Sequence, residues 1–220
     1  MTTDDPFIDL KCPYCGFNNS FPRQEPGFLR ECLNCSETMI VPRDGSDTAA
    51  RPTLPIVAPR LTLRRMVPDD APGLMEFMKE SEPEIIDWLK RQPQIKLTSR
   101  HNWFEIGIQP KDSDKLIGYV SMFNSEVQLR QMDINIEFNP RFDASGLAAE
   151  AVNAMLGFCF NELRMHRAIA ICDSEETRSR GFYSGAGMRQ EGEAIQCTLV
   201  DGRWRNLIYY AMLDEEYRAK

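Results

Sequence analysis

The chain has 220 residues, 42% of them hydrophobic and 27% charged, with a formal net charge of −7. That length suits one full domain with a small companion, and the composition is that of a globular protein, not a disordered or fibrous one. The acidic balance argues against general nucleic-acid binding, which needs a basic face.

The opening MTTDDPFIDLK has no basic region followed by an apolar one, so no secretory signal is expected. The most apolar stretch, Ala151 to Phe160, is interrupted by Asn153 and is too short to span a bilayer. A cytoplasmic location, with no nucleic-acid or membrane partner, is the expectation. Four of the seven cysteines fall as Cys12-x-x-Cys15 and Cys32-x-x-Cys35, with sixteen residues between the pairs. Two such turns bring four thiolates to one tetrahedral site, which suits structural Zn2+. A redox pair would be a single Cys-x-x-Cys beside a βαβ unit. Gly16 lets the backbone turn under the metal, and short strands near Ile8–Leu10 and Met39–Val41 are expected as hairpin arms.

The layout CPxCG…LxxCxxC resembles small bacterial zinc ribbons, with Ser36 standing where glycine is common. Residues 1–45 hold four basic against seven acidic residues, so protein docking or a purely structural role is expected for this ribbon, not phosphate-backbone binding. The stretch RDGSDTAARPTLPIVAP carries Pro52, Pro55 and Pro59 and has no periodicity to bury, which predicts an extended linker. The expected organisation is a ribbon over 1–44, a linker over 45–59 and a larger domain over 60–220.

From Arg60 onward strands and helices alternate as β-α-α-β-β-β-α-β-α-β-β. RLTLRRM alternates as a strand and leads into a helix over PDDAPGLMEFMKE, where Leu74, Phe77 and Met78 recur at helical spacing and Asp69 or Asp70 can cap the start. EPEIIDWLK reads as a second helix, and NWFEIGIQP, KLIGYVSMF and MDINIEFN as three strands. A long helix over Ser145–Leu163 buries Ala148, Val152, Met155, Cys159 and Leu163 on one face. RAIAIC is a buried strand and EETRSRGFYSGAG a short helix. The last hairpin turns at Asp201-Gly202.

Several of these stretches, among them LTLRRMVPDDAPGL, INIEFNP…GLAAEAV, LRMHRAIA, GFYSGAGM and VDGRWRNLIYYAML, resemble GCN5-related N-acetyltransferases of the RimJ/RimL-type branch across residues 60–217. The resemblance implies an α+β fold, a twisted mixed sheet flanked by helices, with acetyl-CoA in a V-shaped cleft between the fourth and fifth strands. It implies transfer of acetyl to a protein N-terminus or another amine. It also implies donor contacts from Phe138, Asn139 and Arg141, from the loop Asp143, Ala144, Ser145, Gly146, Leu147 and Ala148, and from Glu176 and Ser179.

The family loop, Gln/Arg-x-x-Gly-x-Gly/Ala, presents backbone amides to the CoA pyrophosphate at a helix N-terminus. Here Asp143, Gly146 and Ala148 hold those positions, and Ala144 replaces a further glycine. A carboxylate about 4 Å from a phosphate costs roughly 4 kcal/mol at an effective dielectric near 20, about a thousandfold in affinity. Either Asp143 faces the ligand at that cost, with Arg141 offsetting part of it, or Asp143 or Ser145 simply caps the helix. The family's Asn-x-x-Ser/Ala is matched by Glu176 and Ser179.

Tyr183 aligns with a tyrosine that protonates the departing thiolate in many acetyltransferases, and packing is its alternative role. Asp133, Asn135 and Glu137 share one strand face. Asp133 is the first candidate base and Glu137 the second, against a merely solvated face. His166 reads as a structural capping residue. His101 is placed beside a loop and strand, Trp103 and Trp204 read as cleft or core, and Cys159 and Cys172 as inert buried thiols. Two functions stay open: a working N-acetyltransferase, or an impaired transferase-like module that docks through the ribbon.

Overall fold

The computed structural model describes residues 6–22, 29–42, 47–91, 103–126 and 129–220. At the N-terminus β1 (Phe7–Lys11) pairs with β2 (Asn18–Pro22), and β3 (Leu29–Glu31) with β4 (Thr38–Ile40), so each Cys-x-x-Cys turn sits at the tip of one hairpin. The two turns repeat one design. Gly16 N–H bonds the Cys12 carbonyl and Ser36 N–H the Cys32 carbonyl, and both residues take a left-handed φ, 74° and 58°. Ser36 accepts the conformation that glycine adopts without strain in the first turn.

The Pro-rich stretch is extended but not free. Thr48 and Ala50 bridge to Lys11 and Ile40 of the hairpins, and β5 (Ile56–Val57) joins the main sheet as an edge strand. The linker expectation missed these contacts because they are long-range backbone pairings, which composition does not encode.

β6 (Leu61–Arg64) opens the mixed sheet, followed by β7 (Trp103–Pro110), β8 (Gly118–Glu126), β9 (Gln131–Phe138), β10 (Arg167–Asp173), β11 (Arg189–Val200) and β12 (Arg203–Leu213). The spatial order is β11-β12-β10-β9-β8-β7-β6-β5, antiparallel throughout except for the parallel pair β9–β10. Period-two patterning divides the faces. Leu61, Leu63, Val120, Ile134 and Ile136 face the core formed with α3 (Leu147–Gly157) and α4 (Thr177–Gly185). On the other face α1 (Ala71–Leu74) and α2 (Glu82–Lys90) pack around Met66 and Leu116, against Tyr119. A short α5 (Asp214–Arg218) follows β12.

The element order agrees with the sequence reading from Arg60 onward, with β5 and α5 added. The first helix is shorter than predicted, a 3-10 turn Pro68–Asp70 followed by α1. Asp70 is no N-cap. It takes Arg64 in a two-pronged ion pair (2.7 and 2.9 Å) and accepts the Val67 N–H at 2.8 Å. Gly73 is required by close approach, since a Cβ there would lie 2.8 Å from the Leu116 carbonyl oxygen.

The helix predicted over Ser145–Leu163 is α3 followed by a π turn Phe158–Glu162, and a 3-10 turn Pro140–Ser145 leads into it. Its five predicted core residues are all buried. The last hairpin turns where expected, with Asp201 and Gly202 both at positive φ as a type I′ turn demands.

Candidate active site

The parallel pairing of β9 and β10 is brief. It runs from Gln131↔Arg167 to Asp133↔Ile169, yet β9 continues to Phe138 and β10 to Asp173. Beyond Asp133 the strands splay, opening a V between the fourth and fifth strands of the domain. Tyr183, on α4, fills the base of this gap. Its ring is fully buried against Tyr210, and its hydroxyl donates to Asn135 Oδ1 at 3.4 Å. The phenol comes from the α3/α4 side and reaches a side chain of the opposite face, so the two faces meet at this one group. Burial, then the neighbouring Cys172, raises its pKa and keeps it protonated.

Asp133, Asn135 and Glu137 do share the face opposite the α3/α4 core. Asp133 lies where the strands are still paired, whereas Glu137 lies two pleats further along, at the open mouth, roughly 13 Å away by strand rise. The Glu137 carboxyl is held above the usual range by desolvation first and by the Glu176 carboxylate second. Beside it on β8 is Tyr119, which packs at a tilt against Trp88 with ring centroids 5.3 Å apart. Burial and then Glu137, Glu105 and Glu80 raise the Tyr119 phenol, so this side of the cleft is acidic and aromatic.

The loop enters its 3-10 turn after Asn139, a buried side chain that accepts the Arg141 N–H at 3.1 Å. Gly146, φ 73°, turns the chain into α3. The Ser145 hydroxyl accepts the Leu147 N–H at 3.1 Å, so of the two residues offered as caps Ser145 takes a capping bond. The Asp143 side chain lies outside the described residues. Arg141 is exposed and lies 3.6 Å from Glu76, which pairs more closely with Lys115. The side chains of Phe138 and Ala148 face the core, which leaves their backbone for a ligand, and the Phe138 carbonyl accepts from Arg178 at 2.9 Å. Ala144 and Gly146 are exposed, and Leu147 is half-buried. Glu176 stands at the N-cap position of α4 without a side-chain capping bond and is exposed, whereas Ser179 is buried.

Sequence reasoning missed Arg60. Its guanidinium donates to the Ser145 carbonyl at 2.9 Å and to Glu150 Oε2 at 2.7 Å, clasping the loop to α3 from β6. It also missed Arg178 and the Trp88–Tyr119 pair, since none lies in a loop or strand motif that marks the donor site. His166 bonds Asp214 at 3.2 Å, and its backbone links Arg130 and Asp214, in keeping with a structural role. Trp204 is 62% exposed on the last hairpin, so it is not a core residue. His101 and the Trp103 side chain lie outside the described residues. Cys159 and Cys172 are buried, and burial pushes the Cys172 thiol up to about 11.

Remote from the cleft, the sulfurs of Cys12, Cys15, Cys32 and Cys35 all lie within 4.8 Å of one another, with Cys12–Cys35 at 3.7 Å and Cys15–Cys32 at 3.6 Å. Tetrahedral thiolates about 2.3 Å from a metal stand roughly 3.8 Å apart, so the four are placed to hold one ion.

Residues 60–189, from the start of β6 through α4, match the family described as an acetyltransferase (GNAT) domain. YnaD of Bacillus subtilis, named as an uncharacterized N-acetyltransferase, is 36% identical over 107 residues, which is 49% of this chain and 62% of the relative. YdaF of the same organism, provisionally named a ribosomal N-acetyltransferase, is 26% identical over 176 residues, 73% of this chain and 94% of its own. The crystal structure of a GNAT-family acetyltransferase from Bacillus anthracis superposes with a TM-score of 0.64 at 26% identity, over 74% of this chain and 100% of that one. The family match covers more than half of the chain and takes in the loop, the splayed strands and the buried tyrosine together: the chain belongs to the GNAT acetyltransferase family.

Proposed function

We propose that this protein moves an acetyl group from acetyl-CoA to a primary amine, on a protein N-terminus or a small molecule, by direct transfer in a ternary complex. The Tyr183 hydroxyl set in the splay between β9 and β10, hydrogen-bonded to Asn135, carries this reading. The loop from Asp143 to Ala148 takes the pyrophosphate on backbone amides at the start of α3. The amine nitrogen attacks the thioester carbonyl, so the C–N bond forms and the C–S bond breaks. Glu137 takes a proton from the amine and Tyr183 gives one to the departing sulfur. Glu137 is preferred to Asp133 because it stands at the open mouth and its raised pKa makes it the stronger base.

The carboxylates around Tyr119 favour a cationic acceptor. An α-amine, pKa about 7.7–8.0, is deprotonated more readily than a lysine near 10.4, and the provisional name of YdaF points the same way, to a ribosomal protein. Zn2+ on the four cysteines is proposed as a structural ion, with the hairpins as a docking site for a protein partner. The organisation 1–44, 45–59 and 60–220 and a cytoplasmic location complete the proposal.

Loop competence is tested by thermal shift with acetyl-CoA. At 100 times Kd binding stabilises by about 2.7 kcal/mol, roughly 5–10 °C for a chain of this size. A shift in the native protein is expected. No shift there, but a shift in Asp143→Gly, would mean the aspartate closes the donor site and would leave the docking-module reading.

A second expectation concerns pH. A base must be unprotonated, so kcat/KM should rise with pH through an inflection above the ordinary Glu value of about 4.3, and Glu137→Gln should remove that limb and lower the rate about 100-fold. An unchanged acid limb in Glu137→Gln would return the role to Asp133.

A further inference from the structure

A cavity of about 250 Å³ lies where the metal-binding hairpins, the Pro-rich stretch and the end of β6 meet. Its walls are Tyr14 between the first two cysteines, Glu37 after the second turn, Arg51, Thr53 and Leu54 of the extended stretch, and Arg65 just past β6. None of the residues described above for the loop, the cleft or the acceptor face lines it, and β6 lies three strands away from β9.

The walls are anchored. Thr53 N–H donates to Glu162 at 3.0 Å, Leu54 packs against the main core, and Ile40 of β4 bridges Ala50 next to Arg51. The cavity is therefore bounded by fixed backbone on three sides.

Its charge is what singles it out. In a chain of net charge −7, arginines have carboxylates to spare, and Arg60, Arg64, Arg167, Arg189 and Arg205 are all ion-paired. Among the described residues Arg51 and Arg65, like Arg180 and Arg203, have no such partner, and these two line one cavity, where the Tyr14 hydroxyl feels the Glu37 carboxylate first and the two guanidiniums after it. Two planar donor forks facing one space match a group with three or more acceptor oxygens. A monocarboxylate fills one fork, whereas a phosphate engages both. Glu37, which lines the same cavity near Tyr14, disfavours a bare anion and suits a ligand that also carries a hydroxyl or other donor. The volume falls below that of ordinary drug-sized ligand pockets, roughly 300–1,000 Å³, which limits the occupant to a small molecule.

We propose that this junction cavity binds the phosphate group of a small molecule, held by Arg51 and Arg65 with the Tyr14 hydroxyl. The shared chemistry is phosphate, whether free or as a monoester of a small polyol. Calorimetric titration of the metal-loaded full chain at fixed ionic strength tests it, with inorganic phosphate, glycerol 3-phosphate and malonate as probes. Saturable 1:1 binding of a phosphate probe is expected, weakened at least tenfold in Arg51→Gln and in Arg65→Gln and unchanged in Arg60→Gln, which alters the loop at α3 instead. Tighter binding of the ester assigns the site to a phosphorylated metabolite, and tighter binding of inorganic phosphate assigns it to the free ion. Both glutamine changes are on exposed side chains, and a melting temperature equal to the native one establishes that each variant is folded. No saturable binding, binding lost in Arg60→Gln but kept in the other two, or malonate binding as tightly as phosphate would overturn the proposal.

Discussion

Replacing Tyr183 with phenylalanine should lower kcat by about 100- to 1,000-fold while leaving acetyl-CoA affinity and the melting temperature nearly unchanged. The split follows from where the hydroxyl sits. The ring is fully buried and packs on Tyr210, and phenylalanine keeps that packing. The lost hydrogen bond is long, 3.4 Å, and its partner Asn135 is exposed enough for water to replace the donor, so stability changes by less than about 1 kcal/mol. What is lost is the phenolic proton at the base of the splay, where the sulfur is proposed to leave. Desolvation holds the phenol protonated above its ordinary value near 10, so the proton is present at any working pH with no alkaline limb of its own, and it passes to sulfur only as negative charge develops there in the transition state. Single-turnover kinetics with a model amine, alongside a donor-binding titration, separate the two parameters. A variant with native kcat would make Tyr183 a packing residue and would remove the observation on which the proposed mechanism rests.

The residues that sequence reasoning found are those whose chemistry is local. Cys-x-x-Cys spacing, the Asp201-Gly202 turn and the alternation of β9 each arise within a few neighbouring residues, and each is seen in the structure. Tyr183 was legible as a candidate because a helix motif carries it, but its meeting with Asn135 depends on two strands parting after three paired positions. Nothing in RAIAIC or MDINIEFN says where that parting begins. Arg60 was invisible for a related reason. It is one of several arginines in a strand pattern, and only folding brings it to Ser145 and Glu150, 85 and 90 residues away. The preference between Asp133 and Glu137 likewise needed the register, since both occupy the same face in the sequence pattern. The shortened first helix shows the opposite failure. Helical spacing of Leu74, Phe77 and Met78 is real, and the Phe77 and Met78 N–H groups still bond the Leu74 carbonyl, but the regular helix ends after one turn.

Metal removal should lower the melting temperature of the whole chain, not only loosen its N-terminal hairpins. The hairpins are too small to hold themselves: their strands are three to five residues long, and their own core is Leu10, Phe21, Met39 and Ala49 around two of the cysteines. Binding at a four-thiolate site contributes about 10–16 kcal/mol in comparable small domains, so an ion held by the four cysteines would be the main source of their order. Yet Leu29 and Ile40 of these hairpins belong to the large core that also holds Leu61, Leu63 and α3. Exposing two buried aliphatic side chains costs about 3–6 kcal/mol, roughly 10 °C for a chain of this length. Cys32→Ser, or chelation monitored by a chromophoric zinc indicator, should therefore shift a single unfolding transition that the acetyltransferase region shares. Stoichiometric metal release with an unaltered melting curve for residues 60–220 would show instead that the hairpins are an independent unit, and that Leu29 and Ile40 cover the sheet without supporting it.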